Sequence, residues 1–390
     1  MVLFILMLLT GAAFTVALML LNAFPPGIVG ALSGVLVALL LLCIFLFGRK
    51  KKGLRIFGVV LAAIFLAVFG MGTYYLGTTY AMFNKISASY DSESSSSGLD
   101  VTQDSFNIYI TGIDQWSTEK GLDLERSDVN MIVTVCPKTR KILLTSIPRD
   151  TYVPLHRTGT MDKITHTGIY GVDETLNTVR DWLGIDLNYY VKMNFTACVA
   201  VINAMDGIDV YSPVEFTPVK MPDWTVQKGI NHMTGRQALA FARERKAFEG
   251  EDSIRVENQQ RVVEAILEKM MSSSTLLTKY GDILAAASDN MSTDMPTSDM
   301  QALVKMQIAD LGGWDIETQK ITGEYEMDYV ASMAPTSQYL VYKPDAKSVQ
   351  DVLAKIKSTA EPTEEEIEAV IKEKQQNYLQ GLIDRLLHRN

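Results

Sequence analysis

The chain has 390 residues, 47% of them hydrophobic, with 36 Lys+Arg against 45 Asp+Glu and a formal net charge of −9. This acidic balance excludes nucleic acid as the main partner, because such binding needs a basic face that neutralises phosphates. Three cysteines are too few for a disulfide framework, and the four histidines (156, 166, 232, 388) lack zinc-site spacing.

In chain order, Val2–Leu21, Ile28–Phe47 and Ile56–Leu76 come first. Each is near the ~20 apolar residues needed to cross a bilayer. A cleavable leader has one short apolar core, which fits this pattern poorly. Residues 1–76 are therefore expected to form a membrane anchor of three transmembrane helices, with a tight turn at Phe24-Pro25-Pro26-Gly27. Arg49, Lys50, Lys51, Lys52 and Arg55 crowd the second loop, and by the positive-inside rule that loop is cytoplasmic. Everything after Leu76 is then expected outside the cell. That part carries 31 basic against 45 acidic residues, a charge of −14, since no acid precedes Asp91. Any anion site on it must be a local basic pocket.

Residues 77–100, with the low-complexity stretch Ser87–Gly98, read as an extracellular linker. A single α/β domain is expected over 101–358. Strand-like runs lie at Phe106–Thr111, Val129–Val135, Ile142–Ile147, Tyr189–Asn194, Gln319–Thr322 and Tyr339–Tyr342. Helical patterns lie at Val172–Leu183, Phe195–Met205, Gly235–Phe241, Ile254–Met271, Leu276–Ala287, Ser298–Leu311 and Ser348–Ile356. Cys43, Cys136 and Cys198 all sit in apolar runs and are expected as free thiols, with a Cys136–Cys198 bridge the alternative. Over 359–390, Thr363 and Glu366 form a capping box ahead of an apolar stripe through Ile367, Val370, Ile371, Tyr378, Leu382 and Leu386. This predicts an amphipathic C-terminal helix that packs on the domain or on a neighbour.

The chemistry-bearing residues fall at strand ends. Pro137-Lys138-Thr139-Arg140-Lys141 is short enough for a hairpin, so the second and third runs should be antiparallel. Arg126 and Asp128, opening the second run, then lie beside Arg149 and Asp150, closing the third. If the first run also pairs antiparallel with the second, Asp114 reaches the same edge. Acids that can hold a metal, beside arginines that can hold phosphate, suggest a catalytic edge.

A second cluster surrounds the long helix. Arg243 and Arg245 follow the helix at Gly235–Phe241, and Asp252, Arg255 and Gln259 share one face at the start of the next. Helix N-termini favour anions through free N–H groups and the dipole. Any single Arg–Asp pair is ordinarily a surface ion pair of small energetic value. The recurrence of such pairs at element ends, where pockets form, favours a site. Lys163 is a weaker, supporting candidate.

Seven stretches in order resemble the motifs of LytR-CpsA-Psr proteins. They are Phe106–Asp114, Arg126-Ser-Asp128, Ser146-Ile-Pro-Arg149-Asp150, Lys163-Ile-Thr, Met233-Thr-Gly-Arg-Gln-Ala-Leu, Arg243-Glu-Arg245 and Asp252-Ser-Ile-Arg255-Val-Glu-Asn-Gln259-Gln260-Arg261. Three spans exceed the single anchor of many members, and Asn258 stands where an arginine is common. The resemblance implies a three-layer α/β/α sandwich with a central mixed sheet and an apolar tunnel for a polyprenyl chain. It implies a transferase that moves a teichoic acid, capsule or similar glycopolymer from a polyprenyl-pyrophosphate carrier to peptidoglycan, in a bacterial and Gram-positive setting.

On that basis the catalytic set is expected to be Asp114, Asp128, Arg149 and Arg255, with Mg²⁺ (Mn²⁺ the alternative) on Asp114 and Asp128. Arg126, Arg149, Arg243, Arg245, Arg255 and Gln259 would hold the pyrophosphate, supported by Asp150, Asp252 and Lys163. Three competing readings use the same features. They are an envelope sensor or transcriptional attenuator, a polyprenyl-pyrophosphate hydrolase, and a module that only binds polyprenyl phosphate.

Overall fold

A computed structural model of the chain describes residues 2–87, 98–113, 126–245, 251–272, 275, 279–288, 290–310, 312–373 and 376. Helices α1 (Val2–Leu21), α2 (Pro26–Phe47) and α3 (Lys52–Ser87) are each long and apolar enough to cross a membrane. Pro26 opens α2, where a missing N–H costs nothing. Helix α3 continues past Leu76 to Ser87, so residues 77–87 of the expected linker are helical.

The sheet is built from β1 (Phe106–Ile113), β2 (Ser127–Cys136), β3 (Lys141–Ser146), β6 (Tyr189–Asn194), β9 (Met291–Thr293) and β10 (Asp315–Lys320). Its spatial order is β10-β3-β2-β1-β6-β9. The β1–β2, β2–β3 and β6–β9 pairs are antiparallel, whereas β1–β6 and β3–β10 are parallel. The sheet is therefore mixed. Short two-stranded ribbons flank it: β4 (Tyr152–Pro154) with β5 (Met161–Lys163), β7 (Ile208–Ser212) with β8 (Gly229–Met233), and β11 (Gly323–Asp328) with β12 (Tyr339–Pro344). Strand β5 runs directly into the short helix α4 (Ile164–Thr167).

Alternation along the strands sends apolar side chains to both faces, and each face buries them under helices. Tyr109, Ile132 and Leu143 pack with Leu176, Val179 and Leu183 of α5 (Val172–Leu183) and with Val352 and Ile356 of the helix Ala346–Ala360. On the other face, Met131, Val133 and Leu144 meet Val263 and Leu267 of α8 (Glu251–Met271) and Met300 and Leu303 of the helix Thr297–Ala309. The result is three layers, helix, sheet and helix. A further cluster joins Ile202 and Met205 at the end of α6 (Phe195–Ala204), Ile208 and Val210 of β7, Phe241 of α7 (Gly235–Ala242) and Val262 of α8. Apolar residues of Phe195–Met205 and Val262–Met271 are thereby committed in part to core packing.

The N-terminal apolar helices are in contact with the α/β domain. Leu18, Leu21, Ala23 and Leu76 share a buried cluster with Leu284 and Ala287 of the helix Tyr280–Ala287. The Gly281 N–H donates to the Tyr75 hydroxyl at 2.9 Å, and a Cβ on Gly281 would sit 2.5 Å from that oxygen. The domain thus rests against these helices as well as following them in sequence.

Several element boundaries differ from expectation. The strand expected at Gln319–Thr322 runs instead over Asp315–Lys320, where a half-exposed edge strand gave no clear alternation. The helix expected at Leu276–Ala287 is described from Tyr280, residues 276–278 lying outside the described set. Cys43, Cys136 and Cys198 are free. In the C-terminal segment the Thr363 N–H donates to Glu366 at 2.8 Å, and the Glu366 N–H returns a bond to Thr363 at 3.3 Å. Helix follows over residues 364–373, while Tyr378, Leu382 and Leu386 lie outside the described residues.

Candidate active site

The hairpin register sets the site. Pairing of Cys136 with Lys141 through Met131 with Ser146 puts the start of β2 beside the end of β3. Ile147 continues the pairing by donating its N–H to the Asn130 carbonyl at 2.9 Å. At the same edge β1 ends at Ile113, paired with Ser127 on one side and with Asn194 of β6 on the other. Four strand ends thus line about 14 Å of one edge, at roughly 4.8 Å per strand.

Side chains at this edge form an alternating run of charge. Arg149 Nη1 donates to Asp128 Oδ1 at 2.8 Å, and its Nε lies 3.4 Å from Asp150 Oδ2. The other Asp150 oxygen, Oδ1, accepts from Lys163 Nζ at 2.9 Å. Lys163 arrives from β5, which pairs with β4 directly after Asp150 and Thr151, with Tyr152 opposite Lys163. Asp128 and Arg149 keep 19% and 29% of their side-chain surface in solvent, so both are reachable. Arg126 stands exposed just before β2.

The second cluster reaches the same edge through α6. Asn194 ends β6 and caps α6, its side chain accepting from the Ala197 N–H at 2.9 Å. Such a cap satisfies an otherwise orphaned donor of the first turn. The next residue, Phe195, has the Arg243 guanidinium 4.4 Å above its ring. Arg243 is placed there because α7 ends at Ala242 and crosses α6 closely. A Cβ on Gly235 would lie 2.3 Å from the Val199 carbonyl oxygen, so only glycine allows this approach. Arg245 is half-buried and its N–H donates to Glu244 at 3.0 Å. The buried Glu244 also accepts from the Val219 N–H at 2.7 Å.

Helix α8 carries Arg255, which is buried, and Gln259, which is half-buried. Asn258 is buried and donates to the Phe241 carbonyl at 3.3 Å, tying the start of α8 to the end of α7. It also accepts from Arg261 at 2.9 Å, a structural use for the residue that departs from the familiar arginine. Asp114 lies outside the described residues, as does the side chain of Asp252.

The structure therefore joins Asp128, Arg149, Asp150 and Lys163 by direct contact and sets Arg243 at the same sheet edge. A groove of about 320 Å³ between α8 and β10, lined by Glu257, Gln260, Arg261, Glu264 and Lys320, contains none of the expected site residues. Among the described residues no group of three or more His, Cys, Asp and Glu side chains forms a metal cage. Asp128 is the described candidate ligand, and its hard carboxylate oxygens suit an ion that completes its shell with water and substrate phosphate.

Sequence reading missed the buried polar layer behind the edge. Asp162 is fully buried, accepting from His166 Nδ1 at 2.7 Å, the Lys163 N–H at 2.7 Å and the Ser332 N–H at 2.8 Å. The i,i+4 spacing of Asp162 and His166 was the available signal, but their shared burial around the four-residue helix α4 was not legible.

The family model described as "LytR_cpsA_psr family" matches residues 73–358. A polyisoprenyl-teichoic acid–peptidoglycan teichoic acid transferase TagU of Bacillus cereus is 37% identical over 171 residues, covering 44% of this chain and 55% of that protein. The chain thus spans about half the length of that curated relative. The crystal structure of B. subtilis TagV matches with a TM-score of 0.55 and 31% identity, covering 67% of this chain and 99% of that one. TagT bound to LIIa-WTA matches with a TM-score of 0.53 and 28% identity, covering 70% and 96%.

Proposed function

This chain belongs to the LytR-CpsA-Psr family, and on that premise we propose that it transfers a glycopolymer from a polyprenyl-pyrophosphate carrier to peptidoglycan, forming a phosphodiester. The observation that carries this reading is the contiguous run Asp128–Arg149–Asp150–Lys163 at the sheet edge. The name of the B. cereus relative, a teichoic acid transferase, supports the reaction class, and the TagT complex supports a wall-polymer donor.

In this reaction an acceptor hydroxyl oxygen attacks the phosphorus that bears the glycan. A new P–O bond forms, the bond to the lipid phosphate breaks, the hydroxyl proton passes to a base, and polyprenyl phosphate departs. Charge must be neutralised on the diphosphate throughout. Arg126, Arg149, Arg243, Arg245, Arg255 and Gln259 bind its oxygens. Asp150 holds Arg149 through Nε, and Lys163 balances the Asp150 charge, so the guanidinium keeps a fixed orientation while part of it faces solvent.

Asp128 with Asp114 would hold Mg²⁺, or Mn²⁺ in its place. When bound, the ion supplies further positive charge to the phosphoryl oxygens. The basic loop at 49–55 supports a domain outside the cell, and three apolar helices would hold it at the bilayer that carries the donor.

The test incubates the full-length protein with a synthetic polyprenyl-pyrophosphate oligosaccharide, peptidoglycan and Mg²⁺. The expected product is glycan bound covalently to peptidoglycan. Release of free glycan phosphate with no conjugate would make the protein a hydrolase, and no turnover would leave a sensor or a binding module.

A further inference from the structure

The β1–β2 register contains one irregularity, and it falls on a candidate ligand. Gly112 pairs with Val129, but Ile113 pairs with Ser127, so Asp128 has no partner across the strand. This is a β-bulge, and such an extra residue bends the strand and re-aims side chains. It also breaks the alternation of faces. In an uninterrupted strand, residues three apart point to opposite sides. With the extra residue between them, Ser127 and Asn130 come to the same side, that of Tyr109 and Thr111.

Those four side chains form one buried network. Thr111 Oγ1 and Ser127 Oγ lie 2.5 Å apart, and Ser127 Oγ donates to Asn130 Oδ1 at 2.5 Å. The Tyr109 hydroxyl donates to the same Asn130 oxygen at 2.7 Å. Asn130 Nδ2 donates back to the Ser127 carbonyl at 3.0 Å, closing a ring across the bulge. With the Ser127 proton committed to Asn130, Thr111 is the donor to Ser127. None of the four side chains exposes more than 3% of its residue surface. The Asn130 carbonyl also receives the Ile147 N–H, two residues before Arg149. The side-chain network thus spans β1 and β2, and the Asn130 backbone links it to the end of β3 that leads to Arg149.

We propose that Thr111, Ser127 and Asn130 are positioning residues: a buried clamp that fixes the bulge so that Asp128 meets Arg149. The inference rests on the functional reading above only in taking that pair as part of the active site. A hydroxyl under a strand could serve packing alone, but packing does not require that Ser127 bond both across the strand pair to Thr111 and past the bulged residue to Asn130. Folding stores the geometry in a layer that water does not reach, where an unmade hydrogen bond is costly.

The test compares Thr111→Val, which removes the hydroxyl at nearly constant volume, Thr111→Ser, which keeps it, and Ser127→Ala. Each is made in the full-length protein in detergent micelles. For transfer, Thr111→Val and Ser127→Ala are expected to lower kcat by about 10- to 100-fold, the scale of a misplaced reacting group, with KM changed less than about 3-fold. Thr111→Ser should stay within about 3-fold of wild type. Hydrogen exchange read by mass spectrometry is the second arm and needs no turnover. Thr111→Val and Ser127→Ala should speed exchange in a peptide over residues 126–131 while leaving residues 132–136 slow.

Faster exchange across the whole of β2, or unfolding of both variants with Thr111→Ser equally affected, overturns the clamp in favour of plain packing. Unchanged exchange at 126–131 overturns it as well. If the wild type shows no transfer, the proposed function fails, and the exchange arm alone decides the clamp.

Discussion

Arg149 donates to Asp128 at 2.8 Å although 21 residues separate them, because the β2–β3 hairpin folds the start of one strand against the end of the next. The same guanidinium lies 3.4 Å from its neighbour Asp150. One planar cation thus links two carboxylates, an arrangement a lysine ammonium cannot reproduce with the same fork geometry.

Removing that cation should cost activity more than stability. For Arg149→Ala, transfer is expected to fall by about 100-fold or more, the scale seen when one preorganised donor to a transition state is lost. Arg149→Lys should recover only a minor part, since it restores charge without the fork. Because both side chains are partly solvated, melting temperature should move little. Steady-state transfer and thermal melting of the same samples check this, and wild-type rates in Arg149→Ala would remove the residue from the site.

Chelation with EDTA should stop transfer and leave the fold intact, with activity restored by Mg²⁺ or Mn²⁺. The reason is that Asp128, the proposed ligand, sits at a strand end and keeps 19% of its side-chain surface in solvent. Asp128→Asn should raise the Mg²⁺ concentration needed for half-maximal rate, because an amide oxygen is a weaker ligand for a hard cation. Rates measured across a Mg²⁺ titration test it, and EDTA-resistant turnover would rule out the metal.

Gly235→Ala should destabilise the protein by about 1–3 kcal/mol, the usual cost of overpacking. The added Cβ would meet the Val199 backbone at 2.3 Å, so α6 and α7 must separate. That shift carries Arg243 away from Phe195, and the apparent affinity for the lipid diphosphate should weaken in parallel. Melting in micelles and a binding titration report the two effects, and an unchanged melting temperature would show that the helices can part at no cost.

A pH-dependent contribution to stability is expected from Asp162. Burial works to raise its pKa, but bonds from His166, Ser332 and the Lys163 N–H outweigh it and hold the carboxyl below its ordinary value. A depressed folded pKa gives stability that is fully present above the unfolded value, about 3.9, and is lost as pH falls through the folded one. Asp162→Asn should therefore cost about 3 kcal/mol near neutral pH, as expected for breaking a buried charged network. The gap to wild type should narrow below about pH 4. Unfolding measured at a series of pH values checks the sign, and a gap that widens on acidification would contradict it.

Much of this protein was legible in its residues because the signals were local. Three apolar runs near bilayer length give helices α1–α3, each long and apolar enough to cross a membrane. The short turn at 137–141 fixes the β2–β3 hairpin, and with it the meeting of Asp128 and Arg149. Helices α5, α6 and α7 followed from helical patterning within single stretches of sequence. Only tertiary structure decided the rest. The three-residue strands β4 and β5 are too short to carry a period, yet they bring Lys163 to Asp150. Parallel partners such as β1 and β6 lie far apart in sequence, and no local pattern names them. The bulge at Asp128 is a property of register between two strands, set by buried partners on both, and so it cannot be read from either strand alone.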